Sequence, residues 1–340
     1  MNKDLFGKYP EEHLLEENTG YYEVIKTKGK TETCTLDSFG NLECSPPVTG
    51  YPFGRIIYGE DKKKLHHNID ENVTKHLDAQ KQQSPFSLDV SWLEVGHVDE
   101  FISFIPHPQG RNRFKVVLAS PVSSLRIIEK NKAVNLSLFQ GIDQDSNGGN
   151  AIDLVKTLEA YKALQAGAGV EESKQMQVSS YVELGTTQQI NSNITLSANF
   201  RQLQTTIQGI IDMQQDKLKK ELFLEDSDFI KLPVLFHNDS LGDGASAERC
   251  EAFTSNSVNM LVDTHSATSA TLIMPKPFGP MANNICLFEE EIRAVLAGSG
   301  NTIQFLDCFL SYHVFQGEIH CGTNTRRVPP KTPWWEHKPT

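Results

Sequence analysis

The residues best suited to chemistry lie in Glu318-Ile319-His320-Cys321-Gly322-Thr323-Asn324. They follow an aromatic run, Phe309, Tyr312 and Phe315, that reads as a buried strand. A thiol at a strand end, followed by a glycine that lets another group approach the backbone, suits a nucleophile. A lone cysteine also reads as a small buried hydrophobe, and the pattern alone leaves both open. The second such stretch is His97-Val98-Asp99. In a strand, residues two apart share a face, so both side chains would line one cavity. A histidine moves protons near neutral pH, and a carboxylate beside it can hold a cationic group. The competing reading is a strand-end pair that satisfies itself. His320 is the rival base; on a strand it faces away from Cys321 and reads as structural.

The surrounding pattern predicts the elements that would carry these groups. Gly54 to Gly59 and Phe114 to Ala119 read as strands, and Val90 to Pro106 holds strand-like segments. Residues 60–82 are polar with helical spacing. Residues 196–224 predict the longest helix, with Leu196, Phe200, Leu203, Ile207, Ile211, Leu218 and Leu222 recurring at three and four. Short strands follow at 229–233, 258–262, 272–274 and 302–307, with a helix over 288–296 stopped by Gly298. Strands alternating with helices predict an α/β fold. Asp143-x-Asp145-x-Asn147-Gly148 copies half of an EF-hand loop, but Leu154 stands where a bidentate glutamate is needed. It reads as a solvated loop capping a helix at Asn150.

Composition narrows the function. The chain has 340 residues and a net charge of −11, against the basic surface that nucleic acid requires. No GxGxxG or P-loop supports nucleotide binding. No apolar run reaches membrane-spanning length and the N-terminus has no apolar signal core. Six scattered cysteines without a CxxC pair read as reduced thiols, so a cytoplasmic protein is expected, with a nuclear fraction left open.

Ser91-Trp92-Leu93-Glu94-Val95-Gly96-His97-Val98-Asp99-Glu100-Phe101 resembles the catalytic-core signature of the calcium-dependent protein-arginine deiminases. Gly317 to Asn324, followed by Arg326-Arg327 and Trp334-Trp335, resembles the C-terminal signature of that family. Leu36 to Glu43, Ser45 to Val48, Asn259 to Val262 and Pro275 to Pro280 match in the same order. The resemblance implies a pentein-type α/β propeller of pseudo-fivefold ββαβ modules. It implies calcium-dependent conversion of peptidyl arginine to citrulline and ammonia, with arginine-containing protein substrates as partners and a homodimer allowed. It gives Cys321 as nucleophile, His97 as proton carrier, Asp99 as guanidinium anchor and Val95 as part of the substrate channel. It implies a calcium ion on the carbonyls of Phe39 and Leu42 and the carboxylate of Glu43, oxygen ligands that suit a hard cation.

The family carries a second guanidinium-binding aspartate in a Trp-x-x-Asp motif that residues 1–35 lack. The expected organisation is therefore a divergent remnant of an incomplete first module over 1–35. A catalytic domain over 36–340 follows, with a variable insertion at about 140–190. Two alternatives stand beside the deiminase: a truncated homologue that only binds arginine-containing partners, and a free-guanidine deiminase for arginine or agmatine. The turn over 37–43 and Trp334-Trp335 favour the protein-directed branch.

Overall fold

A computed structural model describes residues 12–13, 35–63, 68–131, 198–238, 247–309, 311–325 and 336. The Asp143–Asn147 loop, Arg326-Arg327 and Trp334-Trp335 lie outside the described residues, as does most of 1–35.

Among the described residues, one unit of structure occurs three times. β1 (Leu42–Cys44) pairs antiparallel with β2 (Ile56–Glu60); α1 (Glu71–Ala79) then carries the chain to β3 (Phe86–Asp89), which lies parallel to β2. β4 (Ile102–Pro106) pairs antiparallel with β5 (Phe114–Ser120); α2 (Pro121–Lys130) and α3 (Ala198–Leu222) precede β6 (Phe229–Pro233), parallel to β5. A two-stranded ladder, β7 (Phe236–Asn238) with β8 (Cys250–Ala252), follows. β9 (Leu261–Ser266) pairs antiparallel with β10 (Ser269–Pro275). The ribbon β11 (Met281–Ala282) and β12 (Ile285–Cys286) and helix α4 (Leu287–Val295) then lead to β13 (Thr302–Leu306), parallel to β10. A hairpin can join antiparallel neighbours, whereas the parallel partner needs a crossover, which the helices supply. The fold is mixed α/β, and among the described residues the sheets do not close a barrel.

Local chemistry explains the elements. Ser120 caps α2 by accepting from Ser123 N, and Pro121 supplies a first-turn φ suited to a helix. Leu203, Ile207, Ile211, Leu218 and Leu222 form the buried stripe of α3. Val116 to Ala119 of β5 are wholly buried on both faces, as a central strand with a parallel neighbour should be. Trp92 stacks edge-on against Phe101 and Phe236, tying the approach to β4 to the β7–β8 ladder.

Three expectations fail. Among the described residues of 60–82 the helix covers Glu71–Ala79, because Asp70 caps it there and Asp61 is held in a loop by Asn68 Oδ1. Residues 258–260 form a turn ahead of β9, built on Asn256, whose Oδ1 accepts from Val258 N. The aromatic run from Phe309 is not a strand. Asp307 Oδ1 accepts from Phe309 N, and a 3-10 turn, His313–Phe315, ends at Gln316 in the left-handed region. Local side-chain bonds of this kind compete with a sheet ladder. Phe309 and His313 are buried while Tyr312 is exposed.

Candidate active site

In each of the three units, the turn leading into the first strand reaches the same centre. Phe39–Asn41 leads into β1, Val98–Glu100 leads to β4, and 256–260 leads into β9. The loop after β13 completes the set with Cys321.

The Cys321 loop is anchored from within. Glu318, buried, accepts from Asn256 N at 2.8 Å and lies 2.7 Å from His313 Nδ1, while Cys308 Sγ donates to its second oxygen at 3.3 Å. Gly322 N and Thr323 N donate back to the carbonyls of Glu318 and His320, closing a tight turn with the thiol at its apex. Gly322 is needed there for space: a Cβ would collide with the ring of Tyr312.

His97 and Asp99 do not sit side by side on a strand, as the sequence predicts. His97 precedes a 3-10 turn, Val98–Glu100, and Asp99 lies within it. The Glu100 carboxylate accepts from His97 N at 2.7 Å, so a local side-chain bond favours the turn over an extended backbone. The two side chains take different partners. His97 is buried and bonds the Thr35 carbonyl through Nε2 at 2.8 Å rather than Cys321. Asp99, 2% exposed, faces the Cys321 loop: Oδ2 lies 2.8 Å from His320 Nδ1 and 3.8 Å from Cys321 Sγ. Its Oδ1 is buried without a hydrogen-bond partner. Gly40 packs over both residues; a Cβ there would lie 2.6 Å from His97 Nδ1 and 2.9 Å from Asp99 Oδ2.

His320 does not face away from the site. In a turn, adjacent side chains need not take opposite faces, and His320 bridges Asp99 and Glu43, whose Oε1 lies 3.6 Å from Nε2. Asn259 also joins the site, bonding Cys321 and the backbone of Asp99. Sequence reasoning could have found it only through its position in a motif. Val95 lines a recess with Cys321, Glu100, Glu251, Asn256 and Gln316.

The donor set at Phe39, Leu42 and Glu43 gives two carbonyls and one carboxylate, part of the six to eight oxygens calcium takes. Phe39 O already accepts from Leu42 N, which leaves one of its lone pairs for a cation. Among the described residues no group of three or more His, Cys, Asp or Glu gathers as a metal cage. These oxygens fit a hard cation in chemistry while supplying only part of its shell.

The electrostatics are acidic. Cys321 is exposed at the surface. Even so, protein packed around its sulfur, and then the Asp99 charge, push the thiol well above its ordinary range. Burial, reinforced by Asp99, also holds the Glu100 carboxyl well above the carboxylate range, despite the stabilising bond from His97 N. The folded protein keeps the Glu100 proton at a pH where the unfolded chain has released it. Stability from this group is therefore complete below the ordinary carboxylate range and is lost as pH rises toward the raised folded value. Glu100→Gln is expected to be more stable than wild type near pH ~7 but not near pH ~3. Urea unfolding at both pH values checks this, and equal stability differences at the two would refute it.

A thiol facing a buried, unsatisfied carboxylate defines a cysteine-centred site for a cationic group. The description "Protein-arginine deiminase (PAD)" belongs to the family model that matches residues 3–336, and the chain belongs to that family. It is 35% identical over 314 residues to protein-arginine deiminase type-4 of Homo sapiens, covering 89% of this chain and 39% of that protein. It is 34% identical over 339 residues to type-3 of Homo sapiens, covering 97% and 43%. It is 35% identical over 309 residues to type-1 of Mus musculus, covering 89% and 39%. The chain thus spans less than half the length of these curated relatives.

Proposed function

We propose that this chain carries the catalytic unit of a protein-arginine deiminase, hydrolysing peptidyl arginine to peptidyl citrulline and ammonia. The observation that carries the reading is Asp99 Oδ1, a buried acceptor with no partner on the same carboxylate that lies 3.8 Å from the Cys321 sulfur. An unmade hydrogen bond on a buried charge is costly, and a guanidinium N–H is the donor that would satisfy it. The three like units, each sending an entry turn to the centre, support a pentein arrangement.

The substrate guanidinium stays charged at any working pH. Docked on Asp99, it offsets the carboxylate that holds the thiol neutral, so binding favours the Cys321 thiolate. The sulfur attacks the guanidinium carbon, forming a C–S bond and a tetrahedral adduct. His97, released from Thr35, protonates the departing nitrogen, and ammonia leaves as the C–N bond breaks. His97 then takes one proton from water; the water oxygen bonds the same carbon, the C–S bond breaks as the remaining hydroxyl proton passes to solvent, and the ureido group of citrulline departs with the thiolate restored. Holding the sulfur and carbon at contact distance removes roughly 7 kcal/mol or more of the barrier. Phe39 O, Leu42 O and the Glu43 carboxylate would hold calcium. When bound, that ion supplies positive charge against the carboxylates that surround the sulfur. Val95 lines the way in.

Citrulline release from a peptidyl arginine, measured with calcium and with a chelator, tests this. Release is expected with calcium, a loss of at least about tenfold with the chelator, and little turnover of free arginine. A folded chain that releases no citrulline at millimolar calcium overturns the enzyme reading in favour of a chain that only binds arginine-containing partners.

A further inference from the structure

Asn259 has no part in the steps above, yet it touches every piece of the nucleophile turn. It is 1% exposed, in the turn before β9. Its Oδ1 accepts from His320 N at 3.0 Å and from Cys321 N at 3.3 Å. Its Nδ2 donates to the Asp99 carbonyl at 3.3 Å and lies 3.3 Å from Cys321 Sγ. The amide cannot turn over without setting its NH2 against two backbone N–H groups, so Nδ2 is held as the amide atom nearer the sulfur, while the neutral thiol donates to Oδ1 at 3.6 Å.

The charged groups around that sulfur make the direction matter. Asp99 faces it at 3.8 Å from the turn before β4, and Glu100 of the same turn, which burial holds toward its protonated form, lines the same recess. Glu251 and Glu318 share its recess with His313, which is taken up by Glu318. His320, its neighbour, is taken up by Asp99 and Glu43. Among the described residues, Asn259 supplies the side-chain N–H within hydrogen-bonding distance of the sulfur. An N–H directed at a developing negative charge, fixed before the charge appears, is the means by which buried sites stabilise anions.

We propose that Asn259 is a positioning residue for the nucleophile: its carbonyl oxygen fixes the Cys321 turn, and its N–H holds the thiolate against the surrounding carboxylates. This rests on the reading of Cys321 as the nucleophile. It also assigns a task to the Asn259-Met260-Leu261-Val262 block that packing does not account for, since Met260 and not Asn259 supplies the apolar burial.

The test is the pH dependence of Cys321 alkylation by iodoacetamide, read on the peptide containing Cys321, in the full chain. Asn259→Asp keeps the acceptor and the size but removes the N–H; Asn259→Ser removes the N–H without adding charge. Both are expected to raise the alkylation midpoint, the Ser variant by about one pH unit and the Asp variant by more, so that alkylation near neutral pH slows by about tenfold or more. A purely structural role would lower the melting temperature and leave the midpoint in place. A midpoint for Asn259→Ser equal to wild type overturns the proposal; if that variant does not fold, an unchanged midpoint in Asn259→Asp does so. Alkylation needs no turnover, so this outcome is independent of citrulline release. A raised midpoint in a chain that releases no citrulline would uphold Asn259 and sink the deiminase reading, and an unchanged midpoint in an active chain would do the reverse.

Discussion

Asp99→Asn is expected to lower kcat/KM for a peptidyl arginine by about a hundredfold to a few thousandfold, the range for removing one member of a buried charge pair. Asparagine has nearly the same size, and the turn that carries Asp99 is held through backbone atoms and Glu100, so the melting temperature should change little. What disappears is the negative charge that the substrate cation needs. The same change should make the thiol more reactive toward iodoacetamide. Asp99 is the leading charge that pushes the Cys321 thiol up, and its removal lets the thiolate form at lower pH. The two readouts therefore move in opposite directions: turnover falls while alkylation rises. A variant in which both fall would show that Asp99 acts through the shape of the site and not through its charge.

The second large effect is that of Cys321→Ser. Loss of citrulline release by at least about four orders of magnitude is expected, because a hydroxyl beside carboxylates is a far weaker nucleophile than a thiolate. The turn itself should survive, since the Glu318 carboxylate and carbonyl and the backbone N–H groups that Asn259 accepts from shape it without the sulfur. Unfolding in urea should then match wild type. A covalent adduct trapped on the substrate carbon should be lost in parallel, as judged by intact-mass measurement. Cys44 is also an exposed thiol, so an adduct that persists in the serine variant would move the nucleophile elsewhere.

Much of the architecture was legible because it rests on periodicity. The apolar stripe of α3 and the continuous apolar run of β5 are patterns that burial imposes directly on residue order. The Gly298 stop after α4 was equally readable, since it takes a positive φ that suits glycine. Cys321 and Asp99 were also singled out from the sequence, and the fold brings them within 3.8 Å of each other. Their surroundings were less readable for a physical reason. Around Val98 and His313 the backbone leaves the period of a strand, because Glu100 and Asp307 bond nearby N–H groups. Once that happens, spacing by two no longer says which side chains share a face. His97 and Asp99 take different partners for this reason, and His320 lies against Asp99. Asn259 was invisible because its importance lies in contacts across 62 and 160 residues, which no local pattern encodes.

The convergence of entry turns from separate units bears on how the protein comes together. Asp99 and Cys321 are joined across 222 residues, while each hairpin closes over a short loop. Closing a longer loop costs more chain entropy, and contacts of high sequence separation slow folding. Each unit can gain its hairpin and crossover helix before the units dock, and only docking sets Asp99 against the thiol. The surroundings of Cys321 thus act as a gauge of the final assembly step: a lesion far from the thiol that loosens one unit against another would silence the site while leaving the helix and sheet content almost intact.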